Sequence, residues 1–285
     1  MKYLVILDSG HNEKVQGKQS PDKSLREWDF NNAMQYKIKP RLESHGISVY
    51  LTNPSPSGKD EIGLSTRCNL ANSYWQKQGK PTSLFVSIHA NAHLTEFTSA
   101  RGTETYVASN ASTNSKTAAR FVQDEIFSTL KGIDNKALNR GVKTANFTVI
   151  YKTSMPSILI EYAFYTNRED LALLKNNKDN MSEATVKAIC NYFGIKYEKE
   201  ESPIENKSTF YRTVAGSYIY KGVAAKKVEE LKEMGMDAFI DVFAKDGKNY
   251  HRVIAGSYND KNNAQRQVNV LKKKGYDAFV AVYNK

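Results

Sequence analysis

Two histidines and two glutamates carry the residue types that hydrolytic chemistry needs. His11 follows the apolar run Leu4-Val5-Ile6-Leu7 and then Asp8-Ser9-Gly10, and His89 follows Leu84-Phe85-Val86-Ser87-Ile88. Glu27 opens a helical stretch, and Glu161 closes the run Ser157-Ile158-Leu159-Ile160. Two neutral imidazoles and one carboxylate form a singly negative shell, which suits a catalytic Zn2+ with one coordination position left open. A metal held in this way polarises a scissile carbonyl and activates water. A carboxylate outside the shell must then take the water's proton and pass it to the leaving group, and Glu161 is the candidate. On spacing alone two competitors stay open: Glu13, beside His11, as third ligand, and Glu104, within Gly102-Thr103-Glu104-Thr105-Tyr106, as another group able to reach the site. His45, His93 and His251 read as packing or surface residues.

These groups need elements to position them. Short apolar runs predict strands over Tyr3–Asp8, Ile47–Leu51, Ser83–Ile88, Gly102–Ala108 and Ser157–Ile160. Apolar spacing at Phe30, Met34, Ile38 and Leu42, with Gly46 as a stop, predicts a helix over Trp28–His45, and further helices are expected over Leu64–Trp75 and Ser115–Leu130. This alternation predicts an α/β domain, a mixed and mostly parallel sheet with helices on both faces, over residues 1–197. In open sheets of that kind, sites gather beyond the carboxyl ends of strands, which is where His11 and His89 are expected.

A polar, charged segment at 198–207 reads as a linker. After it, Arg212, Ala215-Gly216-Ser217-Tyr218, Lys221, Ala224, Val228, Leu231-Lys232, Gly235, Asp237-Ala238-Phe239 and Val242 recur 40 positions later without a gap. The repeat, 211–243 and 251–283, reads twice as strand, helix, strand. Two such units predict a small α+β domain of βαββαβ order over 208–285, a four-stranded sheet with two helices on one face. Phe239 and Phe279 are expected in its core.

The 285 residues carry 41 basic and 30 acidic side chains, a net charge of +11. Both expected domains are basic, so polyanionic partners are implied, nucleic acid or an anionic cell wall. The RNA-binding alternative for the tail needs aromatic Phe-x-Phe motifs on the central strands. Those strands read Arg-Thr-Val-Ala-Gly-Ser and Arg-Val-Ile-Ala-Gly-Ser instead, so no nucleic-acid partner is expected. No apolar run approaches the ~20 residues a membrane helix needs, so no membrane insertion is expected. Cys68 and Cys190 read as two buried free thiols.

Residues 1 to about 197 resemble the zinc N-acetylmuramoyl-L-alanine amidases. The resemblance rests on motifs in a fixed order: Asp8-Ser9-Gly10-His11; Glu27 followed by Asn31; Leu64-x-x-Arg67-x-x-x-Ala71-Asn72; Ser87-Ile88-His89-Ala90-Asn91-Ala92; Arg140-Gly141-Val142-Lys143 with Val149-Ile150; and Met155-Pro156 through Glu161, Phe164 and Asn167. It implies one Zn2+ per chain on His11, Glu27 and His89, with Glu161 as the catalytic carboxylate. It also implies cleavage of the amide between N-acetylmuramic acid and L-alanine in bacterial peptidoglycan. Arg140 and Asn91 are candidate substrate contacts, a structural ion pair being the competing reading for Arg140. Ser9, Asn12, Asn53 and Ala163 depart from the family pattern without removing a ligand.

The repeat resembles the SPOR domain, a peptidoglycan-binding module, which makes Ser217, Tyr218, Ser257 and Tyr258 candidate glycan contacts. Val214 and Ile254 stand where that family often has Gln. Tyr218 and Tyr258 have half-buried packing as their competing role. The whole chain then reads as a bacteriolytic hydrolase, a phage endolysin or a mother-cell-lysis amidase. The N-terminus has no signal-peptide pattern. The expectation is therefore synthesis in the cytoplasm and action on the wall after the membrane opens, through a holin or through lysis. The alternative is a catalytically inactive wall-binding protein that keeps the fold.

Overall fold

A computed structural model of the chain describes residues 2–54, 62–199 and 209–284. Two compact units divide at Glu200 and Glu201. The expected linker lies outside the described residues from position 200 onward.

The first unit is built on a six-stranded sheet. Its elements in order are β1 (Tyr3–Ser9), α1 (Glu27–Ser44), β2 (Ser48–Leu51), α2 (Leu64–Lys77), β3 (Thr82–Asn91), β4 (Thr103–Val107), α3 (Thr113–Ile133), β5 (Asn139–Thr144), α4 (Thr148–Tyr151), β6 (Ser157–Phe164), α5 (Arg168–Asn176) and α6 (Lys178–Phe193). The strand order is β2-β1-β3-β6-β4-β5. β1, β2, β3 and β6 run parallel, whereas β4 runs antiparallel to β6 and carries β5 parallel to itself.

Both faces are covered, as buried strands require. One core packs Phe30, Met34 and Ile38 of α1, Val122 and Ile126 of α3 and Val186 and Ile189 of α6 against Val5, Leu7, Val86, Ile88, Ile158 and Ile160. The other packs Cys68 and Ala71 of α2 and Val149 and Ile150 of α4 against Leu4, Ile6, Phe85 and Leu159. Side chains alternate along a strand, so Ser87 and His89 share the second face with Phe85, and Glu161 shares it with Leu159. β5, α5 and α6 were not foreseen in the sequence, although α6 fills much of the first core. Both cysteines are free and buried. Among the described residues no helix is long and apolar enough to cross a membrane.

The second unit runs β7 (Thr209–Tyr218), α7 (Lys221–Glu233), β8 (Phe239–Lys245), β9 (Lys248–Tyr258), α8 (Lys261–Lys273) and β10 (Phe279–Asn284). Its antiparallel sheet has the order β10-β7-β9-β8. Ala224, Val228 and Leu231 of α7, with Val268 and Leu271 of α8, close over Ala215, Val253 and Ala255. The two repeats meet in a hairpin at Asp246-Gly247, both with positive φ (50° and 69°), as a two-residue turn between twisted strands favours.

Phe239 and Phe279 correct an expectation. They are 46 % and 40 % exposed, while Ala238 and Ala278 are buried in the core. With a period of two, placing the alanine inward sends the following phenylalanine to the face without helices.

Candidate metal centre and the row beside it

His11 sits just past β1 with φ of 62°, a left-handed conformation that a non-glycine residue holds only under restraint. The restraint is visible. Asn53 and Arg67 both donate to the carbonyls of Ser9 and His11. Arg67, 1 % exposed, also donates through Nε to the Ile62 carbonyl at 2.8 Å, which ties α2 to the histidine turn. Asn53, one of the departures from the family pattern, is therefore a structural donor. Below the turn the buried Asp8 accepts from Thr52 Oγ1 (2.6 Å) and Ser87 Oγ (3.0 Å).

His89 lies inside β3, which runs three residues further than expected, to Asn91. Its ring rests on Gly10: a Cβ there would lie 2.2 Å from His89 Cε1. The glycine of the first motif is thus a space requirement of the second. Glu27 opens α1 and bridges the two rings, Oε2 at 3.1 Å from His11 Nε2 and Oε1 at 2.9 Å from His89 Nδ1. Asn31, one turn on, donates to the Gly10 carbonyl at 3.2 Å and reaches Glu27 Oε1 at 3.4 Å. Burial pushes the Glu27 carboxyl up, but the hydrogen bonds from His11 and His89 outweigh it and bring it to about 2.

The ligating atoms of His11, Glu27 and His89 all lie within 4.8 Å of one another. Bonds of about 2.0–2.1 Å in a tetrahedron place ligands roughly 3.3 Å apart, close to the separations on either side of Glu27. Two imidazoles and a carboxylate therefore fit a zinc ion by donor type and by spacing. Glu13 and Glu104 are not part of this cluster.

Next to the cluster a row of side chains crosses the sheet. His89 on β3 is paired with Glu161 on β6, and Glu161 with Glu104 on β4. Glu161 lies within β6, which continues to Phe164. Its Oε2 is buried without a partner, although the residue as a whole keeps some access to solvent. Burial, then the charges of Glu27 and Glu104, push its carboxyl well above the ordinary carboxylate range. An orphaned carboxylate oxygen beside a cluster of metal-ligating type marks a place where substrate or solvent supplies the missing contact.

Glu104 is a second centre. It is 2 % exposed and accepts from Asn91 Nδ2 at 2.6 Å, Tyr106 OH at 2.9 Å, Arg140 Nε at 2.5 Å, and Lys143 Nζ. Burial pushes its carboxyl up, but Lys143, Arg140 and Tyr106 outweigh this and hold it below its ordinary value. The two candidate substrate contacts, Arg140 and Asn91, are thus joined on one buried carboxylate. Sequence reading offered Glu104 only as a group able to reach the site; its four donors come from three strands, and only Arg140 and Lys143 share a motif.

His45 is a packing residue: it stacks on Tyr197 at 5.6 Å, and its Nε2 accepts from the Glu198 N–H at 3.0 Å. Other motif residues have structural tasks. Asn72 links α2 to Lys152 and Ser154, and Asn167 caps α5 by accepting from Asp170 N. In the second unit Ser217 and Ser257 are exposed, whereas Tyr218 and Tyr258 are half-buried. Each tyrosine ring lies over the glycine two residues before it, where a Cβ would come within 2.6 Å of the hydroxyl oxygen. The serines are thus exposed, while the tyrosine rings pack on the backbone beside them and stay partly open.

Residues 5–191 match the N-acetylmuramoyl-L-alanine amidase family, and residues 207–281 match the SPOR domain. The chain belongs to the N-acetylmuramoyl-L-alanine amidases and carries a C-terminal SPOR domain. It is similar to the endolysin of Bacillus phage SPP1, 29 % identical over 220 residues that cover 73 % of this chain and 75 % of that one. It is also similar to the N-acetylmuramoyl-L-alanine amidase LytC of Bacillus subtilis, 32 % identical over 192 residues, covering 66 % of this chain and 35 % of LytC. Among solved structures, an N-acetylmuramoyl-L-alanine amidase of Clostridium difficile 630 superimposes with a TM-score of 0.58 at 30 % identity, covering 68 % of this chain and 97 % of that one.

Proposed function

We propose that this amidase is zinc-dependent, with the metal on His11, Glu27 and His89 and with Glu161 as the proton carrier. The observation that carries the reading is the pairing of Glu161, with its orphaned oxygen, directly beside the His89 strand position. A zinc ion held there supplies a Lewis acid for the scissile carbonyl and activates water. Gly10, Asn31, Asn53 and Arg67 keep the three ligands in place before substrate arrives, which spares that rearrangement during the reaction. Glu161 takes the proton of the attacking water on its Oε2 and returns it to the leaving nitrogen, which becomes the amino terminus of L-alanine. The buried surroundings that raise its carboxyl make it a stronger proton acceptor than an exposed carboxylate.

The second unit holds the enzyme on the wall, so that catalysis proceeds at a raised local substrate concentration. The lytic setting, a phage endolysin or a mother-cell-lysis enzyme that meets the wall after the membrane opens, belongs to the same proposal. The relatives named endolysin and sporulation-specific amidase support both versions.

The test uses purified cell walls. The expected result is clearing, with release of peptides bearing free L-alanine amino ends, and arrest by a strong chelator with recovery on added zinc. New reducing sugar ends without free alanine amino groups would refute the reading. A chain that binds walls without cutting them, even when loaded with zinc, would favour the inactive binding protein instead.

A further inference from the structure

The row that begins at the ligands does not end at Glu161. Its next member, Glu104, draws two cations onto one buried carboxylate, so that the cluster carries a surplus positive charge. One cation is enough to neutralise a buried carboxylate, and a second one held against the first costs Coulomb energy. Among the described residues no ion pair joins Glu161 to Arg140 or Lys143, which both pair with Glu104. The two heads are also not sealed in, for the side chains of Arg140 and Lys143 are each 35 % exposed. Arg140 spends Nε on Glu104 and lies 4.9 Å from the centre of the Phe164 ring. Its Nη1 makes only a long contact, 3.5 Å, with the Arg101 carbonyl. The outer edge of the guanidinium and the ammonium beside it thus form a cationic pair that is anchored from behind and open in front.

The direction of the row says which part of the substrate meets this pair. Glu161 returns its proton to the leaving nitrogen, and a leaving peptide that extends from there away from the metal ligands runs along the row toward Glu104. Neighbouring strands lie about 4.8 Å apart, so the Arg140 and Lys143 heads, gathered on Glu104, fall roughly 5–10 Å beyond Glu161. An extended peptide advances about 3.3–3.6 Å per residue, which places the pair opposite the second or third residue of the stem.

We propose that Arg140 and Lys143, held by Glu104, form a subsite for a free carboxylate on the second or third residue of the stem peptide. The subsite rests on the reading of His11, Glu27, His89 and Glu161 as the hydrolytic centre. Glu104 is its positioning residue, and Asn91 and Tyr106 hold Glu104. Charge-assisted contacts of this kind discriminate strongly against a neutral amide in the same place.

The test compares two muramyl tripeptides that differ only in whether the stem carboxyls are free or amidated. The zinc-loaded chain should cleave the free form with a kcat/KM at least about tenfold higher, chiefly through KM. In the double variant Arg140→Gln/Lys143→Met that ratio should fall to within about twofold of one. Because it is a ratio, it does not depend on the fraction of folded enzyme. The charge reversal Lys143→Glu should turn the preference toward the amidated form. Equal cleavage of both substrates by the unaltered chain, or a preference that survives in the double variant, overturns the subsite while leaving the hydrolytic reading in place. Failure to cleave either substrate overturns the hydrolytic reading and the subsite with it.

Discussion

The two units of this chain solve the same problem in opposite ways. In the first, the polar residues are each different and most of the chemistry is buried: Asp8, Glu27, Arg67, Glu104 and Asp170 are all 5 % exposed or less. In the second, one exposed arrangement occurs twice. Arg212 lies 3.4 Å from the ring centre of Tyr283 and 5.6 Å from that of Phe239; Arg252 lies 3.4 Å from Phe243 and 5.8 Å from Phe279. The same arrangement thus recurs at an offset of 40, on the face without helices. A reaction centre needs several different groups converging on one point, and burial keeps their geometry fixed. A surface that holds a repeating polymer gains from presenting the same contact twice.

Substitutions can break this contrast, beginning with the largest expected effect. Glu161→Gln should lower kcat by about 10³-fold while zinc content and wall binding stay as they were. Unchanged hydrolysis would show that the proton carrier lies elsewhere. Gly10→Ala drives a Cβ into the His89 ring and should weaken metal affinity by about 10–100-fold, read by zinc content after dialysis against a weak chelator. Full retention of zinc would mean that the ring has room the geometry denies it.

Glu104→Gln leaves two cations without their buried anion. It should cost about 3 kcal/mol, or about 6–12 °C in the unfolding midpoint of the first unit. Its pH dependence has a definite sign. A carboxyl held below its ordinary value contributes stability above the ordinary range near 4.3, and that contribution is lost as pH falls toward the depressed value. The variant's acid limb should accordingly be shallower than that of the unaltered chain, and parallel limbs would count against an ionised Glu104.

The smallest effect belongs to the repeat. Gly216→Ala should cost about 1 kcal/mol, since only the end of the Tyr218 ring must move. Gly256→Ala should cost more, because Gly256 also has φ of 130°. Equal costs would mean that backbone conformation contributes nothing to the difference between the halves. Both changes should weaken wall binding without altering cleavage of a small soluble muramyl peptide.

Amino-acid order alone determined a good deal here. The ordered motifs offered His11, Glu27 and His89 as ligands through their resemblance to the family, whereas residue type and strand-end position alone left Glu13 and Glu104 open. The gapless repeat carries the second fold because identical helix and strand patterns must bury the same faces. The strands of the first unit other than β5 were equally legible, since each of those runs is short, apolar and bounded by turns.

Tertiary structure decided the rest. Glu104 stands beside Glu161 only because β4 enters the sheet antiparallel to β6, and nothing local in Gly102-Thr103-Glu104-Thr105-Tyr106 specifies that partner. Arg140 and Lys143 reach the same carboxylate from β5, a strand whose polar residues do not resemble one in isolation. The need for glycine at position 10 comes from a ring 79 residues further along. The inward turn of Ala238 and outward turn of Phe239 follow from strand phase, which is set by packing under the helices rather than by hydrophobicity. Types and order could be read one residue at a time; the pairings that make a row of charges into a site depend on contacts between distant residues, and only the folded sheet supplies them.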